Sequence, residues 1–216
     1  MKCRYCLSEC TKKGKYKLVQ KYRCKTCLKY QRSAYGYQSY LVSNSEIIQL
    51  MKENCGIRSI GRILTISPST VISRILKIGA NVHRTSSIRL FQKYQVDELF
   101  TYVGHKKNRV CVAYSIEEKT GNVIDIVVGR RNKTNLRQIT STLVLAEASK
   151  ITTDKLNIYK ELIPSTIHST KHRGINKIER KNLTLRTHLK RLNRRTICYS
   201  KSLAMLLAVV KIYFWV

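Results

Sequence analysis

The sequence predicts an α+β protein of several domains. A small cysteine-bearing module comes first, a three-helix unit follows, and a C-terminal α/β domain is built on a mixed five-stranded sheet. Three observations carry this. Four cysteines fall in two Cys-x-x-Cys pairs near the start. Apolar residues recur at helical spacing from Ile47 to Leu76. From Val96 onward, apolar runs of strand length are separated by turn residues and then alternate with helical stretches.

A chain of 216 residues holds one or two ordinary domains and a small module, and 43% hydrophobic residues are enough for a packed core. Forty-two Lys and Arg against twelve Asp and Glu give a formal charge of +30. A charge of that size repels itself and attracts a polyanion. Nucleic acid is the first partner it implies and an anionic membrane surface the second. The bases run along the whole length, which excludes a basic tail as their explanation. Met1-Lys2-Cys3 leads straight into the first cysteine pair with no apolar signal core. The run Leu203 to Val216 is apolar but short and carries Lys211, so it reads as a buried helix or strand and not as a membrane span. The expectation is a soluble, cytoplasmic protein with no membrane partner.

In residues 1–40, Cys3 and Cys6 form one pair and Cys24 and Cys27 the other. Each pair sets two thiolates on one tight turn, and two turns close a tetrahedron around zinc, as in a zinc ribbon or knuckle. Cys10 is a spare. The segment is too short to build its own core, so a structural zinc would supply the missing stability. Lys12, Lys13, Lys15, Lys17, Lys21, Arg23 and Lys25 surround the pairs, with Tyr16, Tyr22 and Tyr30 among them.

Residues 43–79 read as three short helices. Ser43-Asn44-Ser45-Glu46 is a capping box. Gly56 stops the first helix, and Ile57, Ile60, Ile63 and Leu64 mark the second. Ser67 caps a third that opens on Pro68. There Val71, Ile72, Ile75 and Leu76 are expected inside, while Ser69, Thr70, Ser73, Arg74 and Lys77 face out. A short helix, a tight turn and a helix with a small polar and basic face make a helix-turn-helix, and those five residues are the candidate DNA contacts. An ordinary three-helix bundle is the plain alternative. Residues 80–94 read as a linker.

The last domain, 95–216, begins with three apolar strands joined by turns at Gly104–Asn108 and Lys119–Asn122, an antiparallel meander. A helix follows from Asn135 to Ala148, with Leu136, Ile139, Leu143 and either Ala146 or Leu145 inward. A fourth strand runs from Lys150 to Thr153. A short helix ends before Pro164, a fifth strand lies at Ile167–Ser169, and a long helix covers Asn176 to Asn193. This β-β-β-α-β-α-β-α order is that of a ribonuclease H-like domain. In it, Asp97 on the first strand, Asp154 at the end of the fourth and Glu179 on the last helix converge. Glu179 is the one acid between Leu162 and Val216, among twelve Lys and Arg. A surface made only to bind polyanions has no use for it, whereas a metal-ligand carboxylate does. A helix-surface ion pair with Arg180 or Lys181 is the plain alternative. Strand alternation puts Glu98 on the face opposite Asp97, so only one of them is expected in the site. Asp125, mid-way along the third strand, is a weaker candidate and reads first as a paired charge at a sheet edge.

The sequence resembles the insertion-sequence-one family of bacterial and archaeal transposases over nearly its whole length. The likeness lies in the two cysteine pairs, with Tyr22-Arg23 before the second, and in the helix-turn-helix. It continues in Asp97-Glu98-x-x-x-Tyr102-Val103-Gly104, in Thr153-Asp154-x-x-x-x-Tyr159 with Pro164 after it, and in Ile178-Glu179-Arg180-x-Asn182-Leu183-x-Leu185-Arg186. Arg191-Leu192-x-Arg194-Arg195 and Tyr199-Ser200-Lys201-Ser202 extend it. The resemblance implies that Asp97, Asp154 and Glu179 are a catalytic Asp-Asp-Glu triad holding Mg²⁺ or Mn²⁺. It implies a prokaryotic, nucleoid-associated DNA transposase that cuts at inverted-repeat ends, joins 3′-hydroxyls to target DNA, and assembles as a homo-oligomer on double-stranded DNA. Asn182 and Arg186, three and seven residues after Glu179, share its helix face and are candidate orienting or phosphate contacts. Lys155 stands where a glycine is common in the family, and the two functions read through in one frame. The rival readings are a non-catalytic DNA-binding regulator and a metal-dependent nuclease without strand transfer.

Overall fold

The computed structural model describes residues 1–16, 18–33, 42–85, 87–170 and 175–216. Lys17 of the basic set in the first module, residues 34–40 at its end and Ser86 of the linker lie outside the described residues. The chain divides into two units, Met1–Leu41 and Val42–Val216.

The first unit is a three-stranded antiparallel sheet of β1 (Cys10–Tyr16), β2 (Val19–Cys24) and β3 (Tyr30–Arg32), in that order. Among its described residues only Cys3, Cys24 and Gln31 are buried. With so little apolar burial the cysteine cluster is its centre, in keeping with a fold that needs a crosslink.

The second unit opens with α1 (Asn44–Lys52), α2 (Ile57–Ile63) and α3 (Pro68–Asn81). The capping box forms: Glu46 N–H donates to Ser43 Oγ at 3.2 Å, and Ser43 N–H to Glu46 Oε2 at 2.7 Å. Ser67 Oγ accepts from Thr70 N–H at 3.1 Å and caps α3. The axes of α2 and α3 turn through 110°. Glycine at position 61 permits that turn, since a Cβ there would press on the Ile66 carbonyl oxygen. Ile47, Ile60, Val71 and Ile75 are buried as the periodicity predicts. Ile72 departs from expectation. It is exposed, because the core side of α3 is narrow and centres on Val71, Ile75 and Gly79.

The sheet of the second unit comprises β4 (Lys93–Val103), β5 (His105–Glu117), β6 (Val123–Gly129), β7 (Lys150–Thr152) and β8 (His168–Ser169). Its spatial order is β6-β5-β4-β7-β8. Pairings β4–β5 and β5–β6 are antiparallel, and β4–β7 and β7–β8 are parallel. Numbered within the sheet this is 3-2-1-4-5 with the second strand reversed, the ribonuclease H-like arrangement. Helices α4 (Lys133–Leu145) and α5 (Asn157–Leu162) belong to a core with Tyr94, Val96 and Ala113. The opposite face, with Leu99, Val112, Tyr114 and Ile116, is covered by α6 (Asn176–His188) and α7 (Leu203–Trp215). The same core takes in the three N-terminal helices, and Gly79 of α3 lies so close to Ala208 of α7 that a Cβ would overlap it.

Two local expectations are corrected and one alternative is decided. The linker stretch ends earlier than its pattern suggests, since Lys93 and Tyr94 already belong to β4 and pair with β7. Ala146 is buried and Leu145 exposed, which decides between the two. The last long helix stops at His188 and not at Asn193. Its next backbone groups are taken by tertiary partners: Lys190 N–H donates to Asn54 Oδ1 at 2.6 Å, and Thr101 Oγ1 donates to the Arg191 carbonyl at 2.6 Å. A 3₁₀ turn at Lys190–Leu192 follows, and it buries Leu192 all the same.

Candidate active site

Parallel pairing of β4 with β7 ends at Gln95 and Thr152. Beyond that point the edge of β4 is open towards Asp154, which follows β7. Carboxylate oxygens of Asp97, Glu98 and Asp154 lie within 4.8 Å of one another at this edge. The strand-alternation expectation therefore does not hold as stated. Asp97 and Glu98 leave opposite faces, but at an open edge both side chains reach the same point.

Each carboxylate is held by its own partners. Asp97 Oδ1 accepts from Glu98 N–H at 2.8 Å, and its Oδ2 accepts from Asn182 Nδ2 at 2.7 Å. Glu98 Oε1 accepts from the Tyr159 hydroxyl of α5 at 2.7 Å. Asp154 Oδ1 accepts from Leu156 N–H at 3.0 Å, a turn that fixes it after the strand. Burial pushes Asp97 up to about 6; the charges of Asp154 and Glu179 add to this, and the donors from Glu98 and Asn182 oppose it. Burial likewise pushes Glu98 up to about 7, against the Tyr159 hydrogen bond. Asp97 and Glu98 thus resist ionisation, and three carboxylates at this spacing suit a hard divalent cation.

Glu179 lies in the first turn of α6, exposed, outside the 4.8 Å group but near enough for its charge to act on Asp97. Two buried links tie its helix to the sheet. Gln95 Oε1 accepts from Ile178 N–H at 3.0 Å, filling one of the donors that a helix start leaves open. Asn182, buried, accepts at Oδ1 from the Tyr114 hydroxyl at 2.7 Å while donating to Asp97. Asn182 thus faces Asp97 and is withdrawn from solvent. Arg186 is half-buried, with a buried Nε that has no hydrogen-bond partner among the described residues, and feels the charge of Asp97. Lys155 is exposed. Asp125 accepts from Thr142 Oγ1 at 3.1 Å, a neutral hydroxyl in place of the paired charge expected of it. Sequence reasoning missed Gln95, Tyr114 and Tyr159 as supports; only Tyr159 carried a signal, its place in the Thr153-Asp154 string.

In the first unit the Sγ atoms of Cys3, Cys6, Cys24 and Cys27 lie within 4.8 Å of one another. Cys3 and Cys27 are 3.6 Å apart, and Cys6 and Cys24 3.4 Å. Tetrahedral zinc with Zn–S near 2.3 Å sets sulfur spacings of about 3.8 Å, so the four fit it. The N–H of Tyr5 donates to Cys3 Sγ, and those of Thr26 and Cys27 donate to Cys24 Sγ, each at 3.4 Å. Cys10 stays outside the four, and the amide of Gln31 donates to its sulfur at 3.5 Å. On α3, Ser69, Ser73 and Lys77 are exposed, Thr70 and Arg74 half-buried, and Arg74 Nε donates to Asn44 Oδ1 of α1 at 3.0 Å.

A mixed sheet in this strand order, with carboxylates gathered at the free edge of its first strand, defines a ribonuclease H-like protein with an acidic site. Residues 92–215 match the family model described as IS1 transposase, and the chain belongs to that family. The iso-IS1n protein InsB of Shigella dysenteriae is 35% identical over 108 residues, 50% of this chain and 82% of the relative. The IS1 protein InsB of Shigella flexneri is 32% identical over 111 residues, 51% of this chain and 85% of the relative. Among solved structures, the HTLV-2 integrase catalytic core domain in complex with magnesium aligns over 59% of this chain and 86% of its own, at 16% identity and a TM-score of 0.34. The fold itself rests on the strand order. Among the described residues no single helix is long and apolar enough to cross a membrane.

Proposed function

We propose that this chain is a DNA transposase that binds the inverted-repeat ends of an insertion sequence, cuts them, and joins the 3′-hydroxyl ends to target DNA. The observation that carries the reading is the gathering of Asp97, Glu98 and Asp154 at the open edge of β4, with Glu179 beside them, in a chain of the IS1 transposase family. Asp97, Asp154 and Glu179 would hold Mg²⁺ or Mn²⁺. When bound, such ions activate the attacking oxygen and neutralise the leaving one in an in-line displacement at phosphorus. Asn182 keeps the Asp97 carboxylate turned towards the site, and Tyr114 keeps Asn182 in that rotamer. Gln95 fixes the start of α6, and with it the reach of Glu179. Arg186 sets a positive charge near the acids, where a phosphate would lie. Cys3, Cys6, Cys24 and Cys27 would hold a structural zinc. Ser69, Thr70, Ser73, Arg74 and Lys77 of α3 are the proposed contacts to the element ends, and a homo-oligomer would bring two ends together.

The test is gel-shift binding beside end cleavage and strand joining in magnesium, for Glu179→Gln, Asp154→Asn and Glu161→Gln. Glu161 is a surface control, paired to Lys133 at 2.7 Å. The first two variants should bind end DNA and neither cut nor join it, since losing a metal-holding carboxylate strikes the transition state more than ground-state affinity. Parental cleavage by either would reject the triad. Cleavage by the parent without joining would make the chain a nuclease.

A further inference from the structure

The sheet face under α4 and α5 loses its apolar cover beyond Val96. The core there takes Tyr94, Val96 and Ala113 but none of Phe100, Tyr102 or Tyr199. Strand alternation continues this face through Glu98, Phe100 and Tyr102, with Cys111 and Arg109 directly opposite the last two on β5. What lies over these rings is cationic. The Arg109 guanidinium sits 3.9 Å from the centroid of Phe100, and that of Arg131 5.2 Å. Tyr102 meets Tyr199 edge-on at 6.5 Å, and Lys201 Nζ lies 5.1 Å from the Tyr199 ring. The segment that carries Tyr199 and Lys201 is fixed along the β4–β5 hairpin, where Gly104 N–H donates to the Ser200 carbonyl at 2.9 Å.

Arg109, Arg131 and Lys201 are exposed, and the three rings are half-buried. None of the three cations enters an ion pair among the described residues. Two guanidiniums drawn to one ring repel each other, and an anion placed between them would relieve that. Half-buried rings interleaved with exposed cations that enter no ion pair among the described residues match a nucleic-acid strand whose bases are free to stack, the exposed guanidiniums swinging aside to its phosphates. A duplex would use only the cations, because its bases are already stacked on each other. The strip also starts at the acids. Glu98 belongs to the carboxylate group, and Phe100 follows it on the same face at a two-residue step of about 6.6 Å.

We propose that Phe100, Tyr102 and Tyr199, with Arg109, Arg131 and Lys201, form a binding strip for an unpaired DNA strand leading to the acidic site. The proposal rests on the transposase reading and deepens it, by giving the catalytic unit its own DNA contact apart from α3. The strand stacks bases on the rings and sets its phosphates against the guanidiniums and Lys201.

The experiment is fluorescence anisotropy of the full chain, without added divalent ion, on two probes: oligothymidylate and a blunt duplex of random sequence. Phe100→Leu and Tyr102→Leu should each weaken oligothymidylate binding about tenfold and change duplex binding less than about twofold. Arg109→Gln, at an exposed position, should lower the salt slope on oligothymidylate by about 0.7. Thermal melting identifies a variant that fails to fold, and the remaining variants then carry the test. Unchanged oligothymidylate binding, or an equal loss on both probes, overturns the strip. Oligothymidylate binding is read without divalent ion and end cleavage with it, so failure of the strip and failure of the catalytic reading are read in separate assays.

Discussion

Asn182→Ala tests whether the buried amide orients the site. Asn182 spans two hydrogen bonds of 2.7 Å, one accepted from the Tyr114 hydroxyl and one donated to Asp97. A neutral buried hydrogen bond is worth about 1 kcal/mol net and one to a charged group about 1.5–3. Tyr114 keeps a second acceptor, the Ile178 carbonyl at 3.3 Å, which softens its loss. The sum is a destabilisation of about 2–4 kcal/mol near pH 7.5, where Asp97 is ionised. The cost should shrink near pH 5. Asp97 has its folded pKa raised to about 6 from 3.8, so its contribution to stability is complete below about 4 and is lost as pH rises through 6. Removing the Asn182 donor raises Asp97 further, so the variant loses more than the parent over that rise. Urea unfolding followed through Trp215 reports it, since this is the only tryptophan in the chain and its Nε1 donates to the Val123 carbonyl at 3.3 Å. Tyr114→Phe should cost about 1 kcal/mol in the same assay. A cost for Asn182→Ala under about 1 kcal/mol, or one independent of pH, would refute the orienting role.

Three other outcomes follow. Cys24→Ser should lose about one zinc per chain by elemental analysis and unfold the first unit while the second still melts cooperatively; a metal-free unit that stays folded contradicts the zinc reading. Gly79→Val should destabilise the second unit by about 1–3 kcal/mol, because the added carbons overlap Ala208 of α7; an unchanged urea midpoint would show that α3 and α7 can separate freely. Mn²⁺ affinity by calorimetry should fall below about pH 6, since an ion binding there must displace a proton from Asp97; a flat profile would exclude Asp97 as a ligand.

The sequence by itself determined whatever depends on neighbours a few residues apart. Cys3, Cys6, Cys24 and Cys27 were legible because a Cys-x-x-Cys pair closes on one turn. The caps at Ser43 and Ser67 were legible because their partners, Glu46 and Thr70, lie three residues on. Alternation and periodicity gave the strands and helices of the second unit and their order, and that order named the fold. Tertiary structure decided the rest. Glu98 joined the acids because β7 ends at Thr152 and leaves the edge of β4 open, a fact of pairing that alternation cannot contain. The last helix stopped at His188 because Asn54 and Thr101, distant in sequence, took the next backbone groups. Gln95, Tyr114 and Asn182 became one support because residues 64 to 85 positions apart meet across the sheet. A buried polar group must find a partner, and which partner it finds depends on packing that only the folded chain has.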